Sequence, residues 1–228
     1  NTLRVGIGTL DYPPFYFEKN GVFYGAAMEI AQQLAAQLDY QLSIQRYPWK
    51  RVQDHLRSGD IDMVILYFKT KEREPDVVYT SIPVIHESSD FFVIKGSKIK
   101  YSGDFNELKS YKFANVRGYS HGKQYDNEEK IYKHAVNDEK ALIQSLISGR
   151  VDIALGNKPV ILLHAKKLGL LDKIEFLSPP IDNGADYIAF SRTHPEAELL
   201  AHKFSQELIK FMKTDLYKQI LRKYNFEL

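Results

Sequence analysis

Cysteine is absent from the 228 residues. That excludes disulfides, thiol catalysis and thiolate-bound metal, and it suits a periplasmic chain, where a stray thiol risks oxidation. Tryptophan occurs once, at Trp49. No apolar run approaches the length of a membrane span. Neither sign of charge prevails: 31 Lys and Arg against 29 Asp and Glu leave +2, so no nucleic acid is expected as a partner. The seven histidines are scattered without ligand spacing, and no metal is expected. G-x-S-x-G, the phosphate-binding loop and G-x-G-x-x-G are all missing, which removes the standard hydrolase and nucleotide signatures. The chain opens directly on "NTLRVGIGTL", as expected of a secreted protein whose signal peptide has been removed.

Aromatic residues are plentiful, with 15 Tyr and 13 Phe, a content that suits gripping a small ligand between rings. Strands and helices alternate. "LRVGIGT" reads as a buried strand broken by "DYPPF", and "YGAAMEIAQQLAAQL" has helical spacing. "YQLSIQRY" is a strand with Leu42 and Ile44 inward, "WKRVQDHLRSG" a helix stopped by Gly59, and "IDMVILYF" a strand. The order then restarts: strand "YKFANVRG", a polar Tyr-rich stretch, helix "DEKALIQSLISG", strand "VDIALG", helix "PVILLHAKKLGLL", strands "KIEFLS" and "DYIAFS", and closing helices. This is the β-α-β order of a mostly parallel sheet flanked by helices.

Two segments match: "HLRSGDIDMVIL" at 55–66 and "SLISGRVDIALG" at 145–156. Each ends a helix, stops at Ser-Gly, and starts a strand through an Ile or Val and an Asp. Two equivalent α/β lobes are therefore expected. Ligands of open α/β sheets sit beyond the carboxyl ends of the strands. Those ends are "TLDYPPF" and "YFKTKER" in the first lobe, "RGYSHG" and "GNKP" in the second. If the lobes face each other, the four loops line one cleft.

With these stretches in hand, the chain resembles the extracellular solute-binding proteins of family 3, receptors of polar amino-acid ABC importers. The resemblance runs through "YPPF", "MEIAQQLA", "SGDIDMV", "T.ER", "SGRVDIALGNKPV" and "Y..IL.KY". It implies the type II periplasmic-binding-protein fold, a two-lobed Venus flytrap. Lobe one is discontinuous, at 1–86 and 186–228, and lobe two is inserted at 87–185. It further implies capture of a small carboxylate-bearing ligand by lobe closure, without catalysis and without a cofactor, in a periplasmic monomer that partners a membrane permease. A sensor module of a signalling receptor is the alternative, and a cyclic-acid dehydratase a more remote one, with Asp11 or Asp186 as its acid or base.

The family's carboxylate-binding Arg falls on Arg73, whose planar fork suits a carboxylate. Phe68 stands where the family has a small residue, and Lys69 and Thr70 lie between. Tyr12 is placed at the ligand, beside Asp11, which reads either as an amine acceptor or as a turn cap. Trp49 reads as a ligand contact or a hydrophobic staple. Gly118, Tyr119 and Ser120 would open a helix whose amides hold the carboxylate. Asn157 replaces the family's usual Asp, and an amide cannot neutralise a buried ammonium. With Lys69, Arg117 and Lys158 in the same loops, the expected ligand leans toward an anion, unless Asp11 or Asp186 meets the amine.

Overall fold

The computed structural model describes residues 1–226. The chain divides into two compact units, one formed by Asn1–His86 with Ala185–Leu228, the other by Glu87–Gly184; residues 227–228, within the expected first lobe, lie outside the described residues.

In the first unit, β1 (Thr2–Gly8) is followed by a short hairpin, β2 (Phe17–Lys19) and β3 (Val22–Tyr24), then α1 (Ala26–Gln37), β4 (Gln41–Tyr47), α2 (Trp49–Ser58), β5 (Met63–Phe68) and β6 (Val77–Tyr79). The strand β7 (Ile85–Ile94) carries the chain into the second unit. There follow β8 (Phe113–Val116), α3 (Lys123–Asp126), β9 (Lys133–Val136), α4 (Glu139–Ile147), β10 (Ile153–Gly156), α5 (Lys158–Lys167) and β11 (Ile174–Phe176). The strand β12 (Asp182–Ser191) returns to the first unit, which α6 (Ala197–Phe211) and α7 (Asp215–Lys223) complete.

Both units use one plan. In the first, β4, β1 and β5 are parallel neighbours and β12 runs antiparallel to β5. In the second, β9, β8 and β10 are parallel neighbours and β7 runs antiparallel to β10. The apolar runs that make β1 and β5 legible are buried almost completely, with Val5, Met63 and Val64 fully inaccessible. Helix α1 turns Met28, Ile30, Ala31, Leu34 and Ala35 inward, the i, i+3, i+4 stripe of a helix lying on a sheet. In the second unit Phe91, Phe105, Phe113 and Tyr125 form the aromatic centre of the core with Ile153 and Leu155.

Several elements differ from the sequence reading. The hairpin β2–β3, the strands β6 and β9, and the ten-residue β7 were not legible. Strands of three or four residues offer too few alternations for a period to show. Strand β4 is half-buried along its length, without an inward set led by Leu42 and Ile44. "DYIAFS" is the tail of a strand that begins at Asp182. The helix expected to open at Tyr119 and Ser120 begins instead after Gly122, at Lys123.

Candidate functional site

Strand β5 is apolar until Phe68, and the chain then turns: the amides of Arg73 and Glu74 both donate to the Thr70 carbonyl, at 3.1 Å each. This turn folds Arg73 back over the strand end. Its Nη1 donates to the Phe68 carbonyl at 3.0 Å, and the guanidinium carbon lies 4.2 Å from the centre of the Tyr67 ring. Arg73 is only 9% exposed. A permanent cation so deep is tolerated because a ring face and a carbonyl replace part of its hydration.

Beneath it lies a row of rings. Trp49, the first residue of α2, meets Tyr67 edge-on at 6.0 Å. Tyr67 stacks on Tyr79 at 6.1 Å, and Tyr79 meets Tyr187 edge-on at 5.8 Å. The Tyr79 hydroxyl donates to the same Phe68 carbonyl at 3.2 Å. Lys69 is exposed, with its ammonium 5.4 Å from the Tyr79 ring centre and 5.6 Å from that of Tyr187. Burial pushes the Tyr67 and Tyr79 phenols upward against the opposing charge of Arg73, so both remain neutral donors at physiological pH. Arg73 and Lys69 thus sit side by side on stacked tyrosines, an arrangement able to receive anionic oxygen.

At the end of β1, Tyr12 is buried and stacks on Phe15 and Tyr16 at 5.5 and 5.6 Å. Asp11 pairs with Arg46 at 2.7 Å and accepts the Glu18 amide at 3.1 Å. These bonds, neither of them a turn cap, tie the loop after β1 to β4 and β2. Asp186 is buried on β12, with its Cα opposite Phe68.

In the second unit the loop after β8 is held by its own chain. Arg117 donates its amide to Val136 at 2.7 Å and its Nη2 to the Ala135 carbonyl at 3.2 Å, stitching β8 to β9 from an exposed position. Gly118 has φ 84, and the Tyr119 amide donates to Val116 at 3.1 Å. The Ser120 hydroxyl donates to Asp126 at 2.5 Å, and the His121 amide reaches the same carboxylate at 2.9 Å. The expected pair of helix-opening amides at 119–120 is therefore corrected: Tyr119 uses its amide within the turn, because Gly122 delays the helix. The Tyr119 side chain instead donates its phenol to Glu139 at 2.6 Å.

Asn157 follows β10 and is 5% exposed. Its Nδ2 donates to the Ser88 carbonyl at 3.1 Å. The adjacent Lys158 amide donates to Asp90 at 3.0 Å, and the Ser88 hydroxyl to Asp90 at 2.8 Å. Burial raises the Asp90 carboxyl; these donors and the Lys158 charge oppose it. The Lys158 ammonium lies 5.4 Å from the Phe176 ring centre. Among the described residues no group of three or more His, Cys, Asp or Glu could hold a metal, and no helix is long and apolar enough to cross a membrane.

Sequence reasoning missed Tyr67, Tyr79 and Tyr187, Asp90, and Glu139. Asp90 had a signal, an acid inside the apolar stretch "SSDFFV". Glu139 had none, since an acid in the first turn of a helix is ordinarily explained by the helix dipole.

Residues 3–227 match the family model described as bacterial extracellular solute-binding proteins, family 3. Among curated relatives, the probable amino-acid-binding protein YxeM of Bacillus subtilis (strain 168) is 23% identical over 228 residues, covering 98% of this chain and 84% of the relative. Among solved structures, an ancestral arginine-binding protein bound to arginine superposes with a TM-score of 0.82 at 24% identity, over 98% of this chain and 97% of that one. A histidine kinase sensor domain with similarity to periplasmic binding proteins superposes with a TM-score of 0.79 at 21% identity, over 98% and 96%. These likenesses show the type II periplasmic-binding-protein fold.

Proposed function

This chain belongs to the bacterial extracellular solute-binding proteins, family 3, and from that premise we propose that it captures a small carboxylate-bearing solute, an amino acid or a related organic anion, in the periplasm and delivers it to the permease of an ABC importer. The observation that carries the reading is Arg73. A buried guanidinium on a tyrosine face, with a second cation at Lys69, matches what a carboxylate needs: a planar, permanently charged donor fork held in one orientation. Within the second unit Gly118, Tyr119, Ser120 and Asn157 are proposed as ligand contacts, and within the first Tyr12, Trp49, Phe68 and Thr70 as packing around the cations. The amino-acid-binding designation of YxeM supports the solute class.

A thermal-shift screen of the chain against amino acids, di-acids and simple organic acids tests the reading. A true ligand at a hundredfold excess over its Kd adds about 2.7 kcal/mol to the folded state, and a panel without any stabiliser would sink the proposal. A second reading, the sensing module of a signalling receptor, is favoured by the likeness to a histidine kinase sensor domain. A membrane span and a kinase domain following residue 228 in the full gene product would decide for it.

A further inference from the structure

Two cations of the first unit share one face of its sheet. Residues two apart in an extended chain point the same way, so Lys69, just past the end of β5 at Phe68, follows Tyr67 on one side. Tyr187 lies opposite Tyr67 in the pairing of β5 with β12, and directly opposed residues share a face. The turn at Thr70 folds Arg73 back onto that face, with its guanidinium carbon 4.2 Å from the Tyr67 ring centre. The Lys69 ammonium takes the next two rings, 5.4 Å from the centre of Tyr79 and 5.6 Å from that of Tyr187. Tyr67 and Tyr79 are stacked 6.1 Å apart, so neighbouring rings of one row carry one cation each.

The rings hold the Lys69 ammonium without neutralising it. A ring face attracts a cation through its quadrupole and carries no net charge. The acids nearby are engaged elsewhere. Asp76 pairs with Arg57 at 2.8 Å, and Glu72 accepts from Thr70 and from its own amide. Asp186, the buried acid of β12, stands opposite Phe68 and therefore on the other face of the pairing. Among the described residues Lys69 makes no ion pair. Arg73 is fixed in one orientation by the Phe68 carbonyl and the Tyr67 ring, and a planar fork so held meets one carboxylate at a time. Lys69 is the opposite kind of cation, a compact charge on a flexible stem that can follow an acid group over several ångströms.

Taking the receptor reading above as given, we propose that Lys69 is a specificity-determining residue: the solute carries two acid groups, one held by Arg73 and the second, a carboxylate, by the Lys69 ammonium on the Tyr79 and Tyr187 rings. The solute class is a short di-acid, with or without an amine. Arg73 supplies the anchor that any carboxylate-bearing solute needs, and Lys69 supplies the reason to prefer a second acid. Because Lys69 is exposed, its contribution is modest and salt-dependent, whereas that of the buried Arg73 is screened much less.

Titration calorimetry on the full chain at neutral pH, with matched pairs of probes, tests this. The acids are L-aspartate, L-glutamate, succinate and glutarate. Each is set against its half-amide, L-asparagine, L-glutamine, succinamate and glutaramate, which keeps the shape and removes one charge. The expected result is an acid that binds about five- to tenfold tighter than its half-amide in at least one pair, with the gap narrowing from about 0.02 M to about 0.5 M salt. Lys69→Met keeps the stem and removes the charge, and it should close the gap; Lys69→Arg should keep it. Position 69 is exposed, so both variants should fold, and a thermal melt checks that they do. Arg73→Ala should weaken acid and half-amide alike, which reads the anchor separately. Half-amides that bind as tightly as their acids in every pair, a gap that survives in Lys69→Met, an equal loss of both members of a pair in that variant, or silence from all these probes overturns the inference. The receptor reading fails on a different result, a wider thermal-shift screen without any stabiliser. A mono-acid that stabilises the chain while every di-acid is silent removes the second acid and leaves the receptor.

Discussion

The two repeated stretches, 55–66 and 145–156, fold alike and finish differently. Each carries a helix, a Gly with positive φ (84 at Gly59, 72 at Gly149), and an Asp that pins the neighbouring strand. Asp62 accepts the Arg4 amide at 2.7 Å and Asp152 the Lys112 amide at 2.8 Å, and each Asp returns its own amide to the same residue's carbonyl at 2.8 and 2.9 Å. The shared S-G-x-[IV]-D is therefore a register device, which fixes where the next parallel strand starts. Beyond it the units diverge. Strand β5 runs out into Lys69 and Arg73, while β10 runs out into Asn157 and Lys158. One scaffold thus presents Arg73 and Lys69 on a tyrosine platform in the first unit and, in the second, the acceptors Asn157 Oδ1 and Glu139 alongside the cation Lys158, and the difference lies after the shared pin.

The largest test of that contrast is Arg73→Ala. Removing the guanidinium should cost about 2–5 kcal/mol of solute binding, the usual loss when one partner of a buried charge pair is deleted, and titration calorimetry with any stabiliser found in the thermal-shift screen reads it. Affinity that is unchanged would mean the donor side of the comparison is wrong.

The acceptor side has its own signature in stability. Because the Glu139 carboxyl is raised to about 7 in the folded state from about 4.3 in an unfolded chain, the folded state binds more protons between those values. Stability should therefore fall as pH climbs from about 4.5 to 7 and level off above, by about 4 kcal/mol if this group acts alone. Urea unfolding across pH would show the slope, and Glu139→Gln should flatten it.

The pins can be set against each other. Asp62 is buried and also pairs with Arg4 at 2.7 Å; burial raises its carboxyl, but the hydrogen bonds and charge of Arg4 outweigh that and hold it below the usual range. Asp152 is exposed. Asp62→Ala should cost about 2–3 kcal/mol, and Asp152→Ala about 1 kcal/mol or less. Equal losses would mean that the pairing with Arg4 adds nothing. Since the Asp62 value is lowered on folding, its contribution is present above the unfolded value near 4 and is lost as pH falls through the folded one.

The smallest test concerns the helix stops. A Cβ at Gly59 would approach the Thr193 hydroxyl to 2.3 Å, whereas at Gly149 nothing lies within 4 Å. Gly149→Ala should cost about 1 kcal/mol from the left-handed backbone alone, and Gly59→Ala about 1 kcal/mol more. A thermal melt that ranks them the other way would remove the distinction.

What the sequence by itself determined is everything carried by neighbours along the chain. The apolar runs of β1 and β5, the inward stripe of α1 and the Ser-Gly stops are local patterns with a fixed period or a backbone requirement. From them came the two α/β units, the family resemblance, and the place of Arg73 just past a buried strand. Only the tertiary structure decided what those residues meet. Asp11 reads as an open acid until Arg46, 35 residues on, is folded against it. The tyrosines at 67, 79 and 187 become one platform only when β5, β6 and β12 are laid side by side. Glu139 is an ordinary first-turn acid in the sequence, and burial beneath Tyr119 changes its chemistry. Charge and its hydration depend on every group within a few ångströms, and those groups come from distant parts of the chain, so the period of a strand or helix carries no record of them.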